Sequence, residues 1–279
     1  ILICNHIMKL LLFFYRIIKK YLPQKINYFI WDIYLSNIST KSYSQYGEDL
    51  IICNYFSKMH GNYLDIGCYH PKGISNTHLL HKKGWEGGVV DIDDYKLNLF
   101  KKRRGSKIEI IKGAISSSSS DYKVPVYKFN QPFSPYDTLS KEIADARSKQ
   151  KNIEYKVDEI DQIDINTLLS KKYFDIINID VEGLDEIIIN SIDFDKYQPE
   201  MIVYESFEPF SSSKTKELLC KNGYRLLFIS GGSLGYIKEE FGYLTFGDYI
   251  DESYDEEVED WKRLEKVKKG IEFASNYTQ

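Results

Sequence analysis

The sequence predicts an α/β fold, doubly wound around a mostly parallel seven-stranded sheet, and three observations carry that expectation. From about residue 40, short apolar runs alternate with stretches of helical periodicity, the pattern of a parallel sheet flanked by helices. With 279 residues, 43% of them apolar, the chain can bury one large core. Two of the apolar runs end in an aspartate, at the place where a doubly wound sheet opens its ligand crevice.

Residues 1–36 form an amino-terminal helical segment. Counted from Met8, an alternative first residue to Ile1, Lys9, Arg16 and Lys20 share one side of a helix while Leu10–Tyr15, Ile17 and Ile18 cover the rest. The stretch is too interrupted to span a bilayer, which takes roughly 20 apolar residues. Two readings stand side by side: residues 8–22 lie as a peripheral contact on an anionic membrane surface, or they pack against the domain.

Residues 37–250 hold the main body. Its candidate strands are Tyr63–Ile66, Gly88–Ile92, Ile108–Ile111, Phe174–Ile179, Met201–Tyr204 and Tyr224–Ile229, with a last strand at Tyr243–Phe246. Helices are expected at Ile74–Lys83, Tyr95–Arg103, Leu184–Ser191 and Lys214–Asn222, the last stopped by Asn222-Gly223. The run Ser116–Ser120 followed by Pro125, Pro132 and Pro135 breaks the rhythm, so residues 116–150 read as an insertion that shapes the substrate pocket. Inside it, Thr138 to Gln150 reads as a helix capped by Asp137 or Thr138. Residues 251–279 are a charged helical tail with Trp261, Leu264 and Ile271 on a narrow stripe, suited to docking or to an oligomer contact, although no feature specifies an oligomeric state.

Composition excludes some functions. A net charge of −4 leaves no basic excess for phosphate-backbone contacts, and the cluster Lys101-Lys102-Arg103-Arg104 reads as a solvated helix end, so no nucleic-acid partner is expected. Cys4, Cys53, Cys68 and Cys220 form no C-x-x-C pair, which indicates neither a zinc site nor a disulfide framework and fits a reducing cytoplasm.

Chemistry concentrates at strand ends. Tyr63-Leu64-Asp65-Ile66-Gly67-Cys68 is an apolar strand closing in Asp-x-Gly, where glycine lets a ligand approach the backbone. The dinucleotide fingerprint is absent, because Cys68-Tyr69-His70-Pro71 follows. About 24 residues after Gly67 the next strand ends at Asp91, placed to accept hydrogen bonds from a ribose. The fourth strand ends Asn178-Ile179-Asp180-Val181-Glu182-Gly183. On an extended chain Asp180 and Glu182 point to opposite faces, so one of them, Asp180 first, is expected to meet the ligand unless the strand has already turned.

Four motifs in order, Ser44-Gln45-Tyr46-Gly47-Glu48-Asp49, Asp65-Ile66-Gly67 with Ser75-Asn76-Thr77, Gly84-Trp85-Glu86-Gly87 leading to Asp91, and Ile179-Asp180-Val181-Glu182-Gly183, together resemble the FkbM family of S-adenosylmethionine-dependent methyltransferases over roughly residues 42–206. The resemblance implies the class I methyltransferase form of the Rossmann-like fold and O-methylation of a hydroxyl on a sugar, glycan or other small secondary-metabolite-like acceptor. It implies that Asp65 and Gly67 line the methionine end of the cofactor, that Asp91 holds its ribose, that Ala114 and Ile115 flank adenine and that Gln45 closes over it. Asn76, Ile92 and Asp180 complete the implied cofactor set. Cys68 and the pair Asp93-Asp94 depart from the family pattern, which expects a small alanine and an Asn-Pro-like turn.

Methyl transfer to an alcohol needs a general base or a metal that lowers the hydroxyl pKa. Asp180, Glu182 and His70 are the candidate catalytic residues, with Glu205 on the following strand able to join them; a divalent metal is chemically compatible but no motif indicates one. Two competing functions remain. Asp91-Ile92-Asp93 has the D-x-D form of a metal-dependent glycosyltransferase, and a methyltransferase-like module can serve binding alone.

Overall fold

The computed structural model describes residues 21–37, 42–56, 60–116, 123–130, 133–206 and 214–239. In chain order the first elements are α1 (Gln24–Asn37), α2 (Glu48–Tyr55), β1 (Asn62–Ile66), α3 (His78–Lys82), β2 (Glu86–Asp91), α4 (Asp94–Arg104) and β3 (Ile108–Lys112). Then come β4 (Ala114–Ser116), β5 (Lys123–Phe129), α5 (Lys141–Lys151), β6 (Tyr155–Asp164), α6 (Ile165–Lys171), β7 (Ile176–Ile179), α7 (Asp185–Asn190), β8 (Met201–Glu205), α8 (Lys214–Lys221), β9 (Tyr224–Ser230) and β10 (Ser233–Lys238).

Seven strands form one sheet in the order β3-β2-β1-β7-β8-β10-β9, parallel except that β10 runs antiparallel to both neighbours. This is a doubly wound, Rossmann-like α/β fold. Period-two alternation divides the core between the two faces. Leu64, Ile66, Ile177, Ile179 and Tyr204 pack with Leu168 of α6, Ile188 of α7 and Leu219 of α8. Tyr63, Val89, Ile176 and Val203 pack with Ile52 of α2, Leu80 of α3 and Phe100 of α4. Each such fully buried side chain contributes about 1.5–3 kcal/mol of burial energy, so both faces of the sheet contribute to the double winding.

Among the described residues the seventh strand of the sheet is β10, because Ser230-Gly231-Gly232-Ser233 makes a tight hairpin with both glycines at positive φ (63° and 130°) and returns the chain between β8 and β9. Tyr243–Phe246 lies outside the described residues, as do residues 1–20 and the tail at 251–279. The insertion carries a second sheet, order β4-β6-β5, and reaches Asp164, past residue 150. Its helix α5 begins at Lys141 rather than near Thr138, because Ser140 accepts the Ile143 N–H at 3.3 Å and is the cap.

The first turn of α4 is fixed by Asp93, whose carboxylate accepts the N–H groups of Tyr95 (2.7 Å) and Lys96 (3.3 Å) and the Tyr28 hydroxyl (2.9 Å). Through Tyr28, and through Arg103 donating to both oxygens of Asp32 at 2.7 Å, α1 is docked beside the crevice.

Candidate active site

The carboxyl ends of β1, β2 and β7 converge: Gly67 N–H donates to Val90 O at 2.9 Å and Asp180 N–H to Ile66 O at 2.9 Å. Gly67 has φ 79°, and a Cβ there would collide with the carbonyl oxygen of Asp180, so only glycine keeps this junction closed. Above it opens a crevice of about 310 Å³, continuous through Gln45, Gly67, Tyr69, Ile74 and Asp180 with a small polar chamber of about 50 Å³.

The Ser44–Asp49 motif places Gln45 between the two chambers. Asp49 is buried and accepts Ser42 Oγ (2.7 Å), Ser44 Oγ (2.8 Å) and Tyr43 N–H (2.7 Å), while Glu48 accepts Tyr46 N–H at 2.8 Å. With its acids spent on the turn, the motif leaves Gln45 as its exposed member.

In the small chamber, Asp65 is buried and both its oxygens are engaged, Oδ2 by Thr77 Oγ1 at 2.5 Å and Oδ1 by Asn178 Nδ2 at 2.9 Å. Asn76 Nδ2 in turn donates to Asn178 Oδ1 at 2.9 Å. Arg104 steadies this loop by donating to Tyr63 Oη, Thr77 Oγ1, Ser75 Oγ and Pro71 O at 2.9–3.2 Å. Burial raises the Asp65 pKa despite the Arg104 charge. Beside these lie Ser75, Glu48 and Glu205.

The nucleoside-sized end of the main crevice is walled by Val90, Ile92, Ala114, Ile115 and Leu139, with Asp91 and Lys96 at its rim. Asp91 is 5% exposed; its Oδ1 accepts Asp93 N–H at 2.8 Å and its Oδ2 lies 3.6 Å from Lys96 Nζ. Burial pushes the Asp91 carboxyl up to about 6, with Lys96 acting against the shift. Burial works against the Lys96 ammonium, but the carboxylates of Asp91, Asp137 and Asp93 together raise its pKa above the ordinary lysine value. The apolar wall, the acid at the rim and the glycine floor fit the adenosine part of a nucleoside cofactor.

At the opposite end stand Asp180 and Glu182. Strand β7 stops at Ile179 and the chain turns at once, with Glu182 at φ 59° and Gly183 at φ 108°, so both acids line the crevice. The exception allowed for a strand that has already turned therefore applies, and the turn holds Glu182 in a left-handed conformation costly for a residue with a Cβ. Arg147 of α5 donates to Glu182 Oε2 at 2.7 Å and to Tyr136 O at 3.1 Å. Asp180, Glu182 and Glu205 each bring one carboxylate oxygen within 4.8 Å of the others, the one group of this kind found among the described residues. Asp180 is exposed on the crevice. Desolvation by the crevice walls raises its pKa well above the ordinary aspartate value, helped by the charges of Glu182, Asp185, Glu205 and Asp65. Burial pushes Glu182 up to about 7 against the pull of Arg147.

His70 is not brought to this site. It is fully buried, its Nδ1 accepts the N–H groups of Lys72 (3.2 Å) and Gly73 (2.8 Å), and its Nε2 lies 3.0 Å from Asp32 Oδ1. Two backbone donors at Nδ1 assign the proton to Nε2, and burial lowers the ring pKa to about 4. Both nitrogens are committed to holding the loop, so the structure corrects its candidacy as a base. Asp93, the second acid of Asp91-Ile92-Asp93, is likewise spent as the α4 cap and is outside the three-acid group, which removes the feature behind a glycosyltransferase reading. Sequence reasoning passed over Lys96, Asp137, Arg147 and Asn178. Lys96 had a signal: Lys96, Phe100 and Arg104 stand at i, i+4 and i+8 and all three are buried, which puts two cations on the inner face of a helix.

Among known proteins, the family of the methyltransferase FkbM domain matches this chain over residues 65–226. No curated protein matches the chain. Among solved structures, it is similar to a TehB-like S-adenosylmethionine-dependent methyltransferase from Corynebacterium glutamicum, with 14% identity, a TM-score of 0.36, and 69% of this chain and 88% of that one covered. It is also similar to a precorrin-6y C5,15-methyltransferase from Geobacter metallireducens, with 11% identity, a TM-score of 0.39 and coverages of 72% and 94%. An O-methyltransferase from Bacillus cereus in complex with S-adenosylhomocysteine matches at 12% identity and a TM-score of 0.38, with 77% and 88% covered.

Proposed function

The chain belongs to the FkbM family of methyltransferases, and on that premise we propose that it is an S-adenosylmethionine-dependent O-methyltransferase acting on a hydroxyl of a sugar, glycan or similarly small, polar acceptor. The observation that carries this reading is the asymmetry of the crevice: an apolar, nucleoside-sized end at Ile92, Ala114 and Ile115, and a carboxylate-lined end at Asp180, Glu182 and Glu205.

The cofactor supplies an electrophilic methyl group when bound, so the protein needs to align an oxygen and take its proton. In this reading Gln45, Asp65, Gly67, Asn76, Asp91, Ile92, Ala114 and Asp180 surround the cofactor. Asp180 is the general base, because its carboxylate opens on the crevice, and its raised proton affinity makes it a stronger acceptor for a hydroxyl proton than an ordinary aspartate. Glu182 keeps that affinity high by like charge, and Arg147 limits how far Glu182 itself is raised. An end with three acids and Arg147 as its counter-charge favours neutral or cationic acceptors over phosphorylated ones.

The test is transfer of a labelled methyl group from S-adenosylmethionine to neutral glycans and polyols, run with and without a chelator. Labelled methyl ether that forms equally in both supports base catalysis. Activity lost in chelator and restored by Mg²⁺ would reassign the three acids as metal ligands, and labelling of nitrogen or carbon alone would overturn the O-methyl reading.

We further propose a cytoplasmic enzyme in peripheral contact with an anionic membrane through residues 8–22. No helix among the described residues is long and apolar enough to cross a membrane, and α1 exposes Ile26 and Phe29 next to that basic segment. Co-sedimentation with anionic but not neutral vesicles is the expected result; equal recovery from both counts against it.

A further inference from the structure

Lys96 is a buried cation in the crevice with donors to spare. Only 6% exposed, it lines the cavity, and among the described residues its ammonium makes no hydrogen bond. It stands 3.6 Å from Asp91 Oδ2 and 5.4 Å from the centre of the Tyr69 ring. An ammonium has three donors and is rarely buried without acceptors, so a buried one facing a cavity points to ligand oxygens.

Asp137 faces Lys96 from the insertion. Its Oδ1 accepts Phe129 N–H at 2.8 Å, and it lines the cavity with Ser134, Thr138 and Leu139 of the same loop. The loop is pinned by fully buried Phe133, which packs edge-on against Tyr28 and Tyr95 at 5.4 and 5.8 Å between ring centres. Two carboxylates and one ammonium thus border the nucleoside end, one acid from the sheet and one from the insertion. Their combined charge is negative, which disfavours a phosphate. A vicinal diol complements them, since its two hydroxyls can donate to the two acids while one of its oxygens accepts from the lysine.

We propose that Lys96 and Asp137 bind the ribose diol of the cofactor together with Asp91, so that the insertion is part of the cofactor site. The inference rests on the crevice being the S-adenosylmethionine site. It assigns the loop at 133–139 to cofactor recognition, leaving Arg147 of α5 as the insertion residue that faces the acceptor end.

Calorimetry on the full-length protein with S-adenosylhomocysteine and its 2′-deoxy and 3′-deoxy analogues tests this. The unaltered protein should bind both analogues about tenfold more weakly than the parent, the scale of one charge-assisted hydrogen bond. Asp137→Asn should bind the parent about tenfold more weakly and lose its discrimination against one of the analogues. Lys96→Met should also weaken the parent, and Lys96→Gln, which keeps a donor, should recover part of the loss. If Asp137→Asn weakens parent and analogues by one common factor, the residue only holds the loop and the inference falls. It falls alone if Asp91→Ala weakens binding while Asp137→Asn and Lys96→Met stay within twofold of the unaltered protein. Absence of any binding by the unaltered protein would overturn the cofactor assignment of the crevice and this inference with it.

Discussion

The two ends of the crevice are built on the same sheet rim, one strand apart, yet they handle charge in opposite ways. At the nucleoside end Lys96 stands against Asp91, and apolar side chains supply most of the wall. At the other end Asp180, Glu182 and Glu205 crowd together with Arg147 on Glu182 alone. An acid with a cation beside it offers both acceptor and donor to a bound polar group, whereas crowded acids without a cation each hold protons that can be exchanged with a substrate. In the proposed mechanism binding falls to one end and chemistry to the other.

The largest expected effect breaks the chemical end. Asp180→Asn keeps the shape of the side chain but cannot accept a proton at neutral pH, so turnover should drop by about 10²–10⁴ while affinity for S-adenosylhomocysteine stays within a few-fold. Single-turnover kinetics beside calorimetry measures both. Lost affinity with unchanged turnover at saturation would make Asp180 a cofactor ligand and move the base to Glu182 or Glu205.

Asp91→Ala should produce the reverse split. Removing a charge-assisted acceptor costs about 1.5–3 kcal/mol, a roughly tenfold to hundredfold rise in the dissociation constant, with turnover at saturating cofactor little changed. A fall in saturated turnover with intact affinity would contradict the division between the two ends.

The smallest effect tests the coupling between insertion and acids. Arg147 lowers the Glu182 pKa, so Arg147→Met should raise it above about 7 and make the acidic group hold its protons to higher pH. In the proposed mechanism activity requires the deprotonated cluster, so the ascending limb of the rate profile should move to higher pH, with a loss of about fivefold at pH 7 for a one-unit move that is recovered near pH 9. A loss that is the same at every pH would mean that Arg147 serves only to dock α5.

Most strands of the main sheet were legible because each is an apolar run bounded by a turn, and burial on both faces demands such a run. The exceptions have physical causes. Strand β6 reads as charged and has a single buried residue, Ile160, so it forms by pairing with β4 and β5 rather than by burial. Strand β10 had a signal in Gly231-Gly232, but its central glycine, Gly235, broke the apolar run and masked it.

The sequence by itself determined the double winding, the glycine at the first strand end and the acids at the ends of β1, β2 and β7, because periodicity and strand termini are local properties of a chain. What Asp180, Glu182 and His70 do was decided only by tertiary structure. A left-handed turn at Glu182 brings two acids to one crevice, and the crevice walls and the neighbouring carboxylates raise their proton affinity. The same packing commits both nitrogens of His70 to Asp32 and the loop backbone, from an element 38 residues away. Proton affinity depends on burial and on charges far apart in sequence, and no spacing along the chain records either.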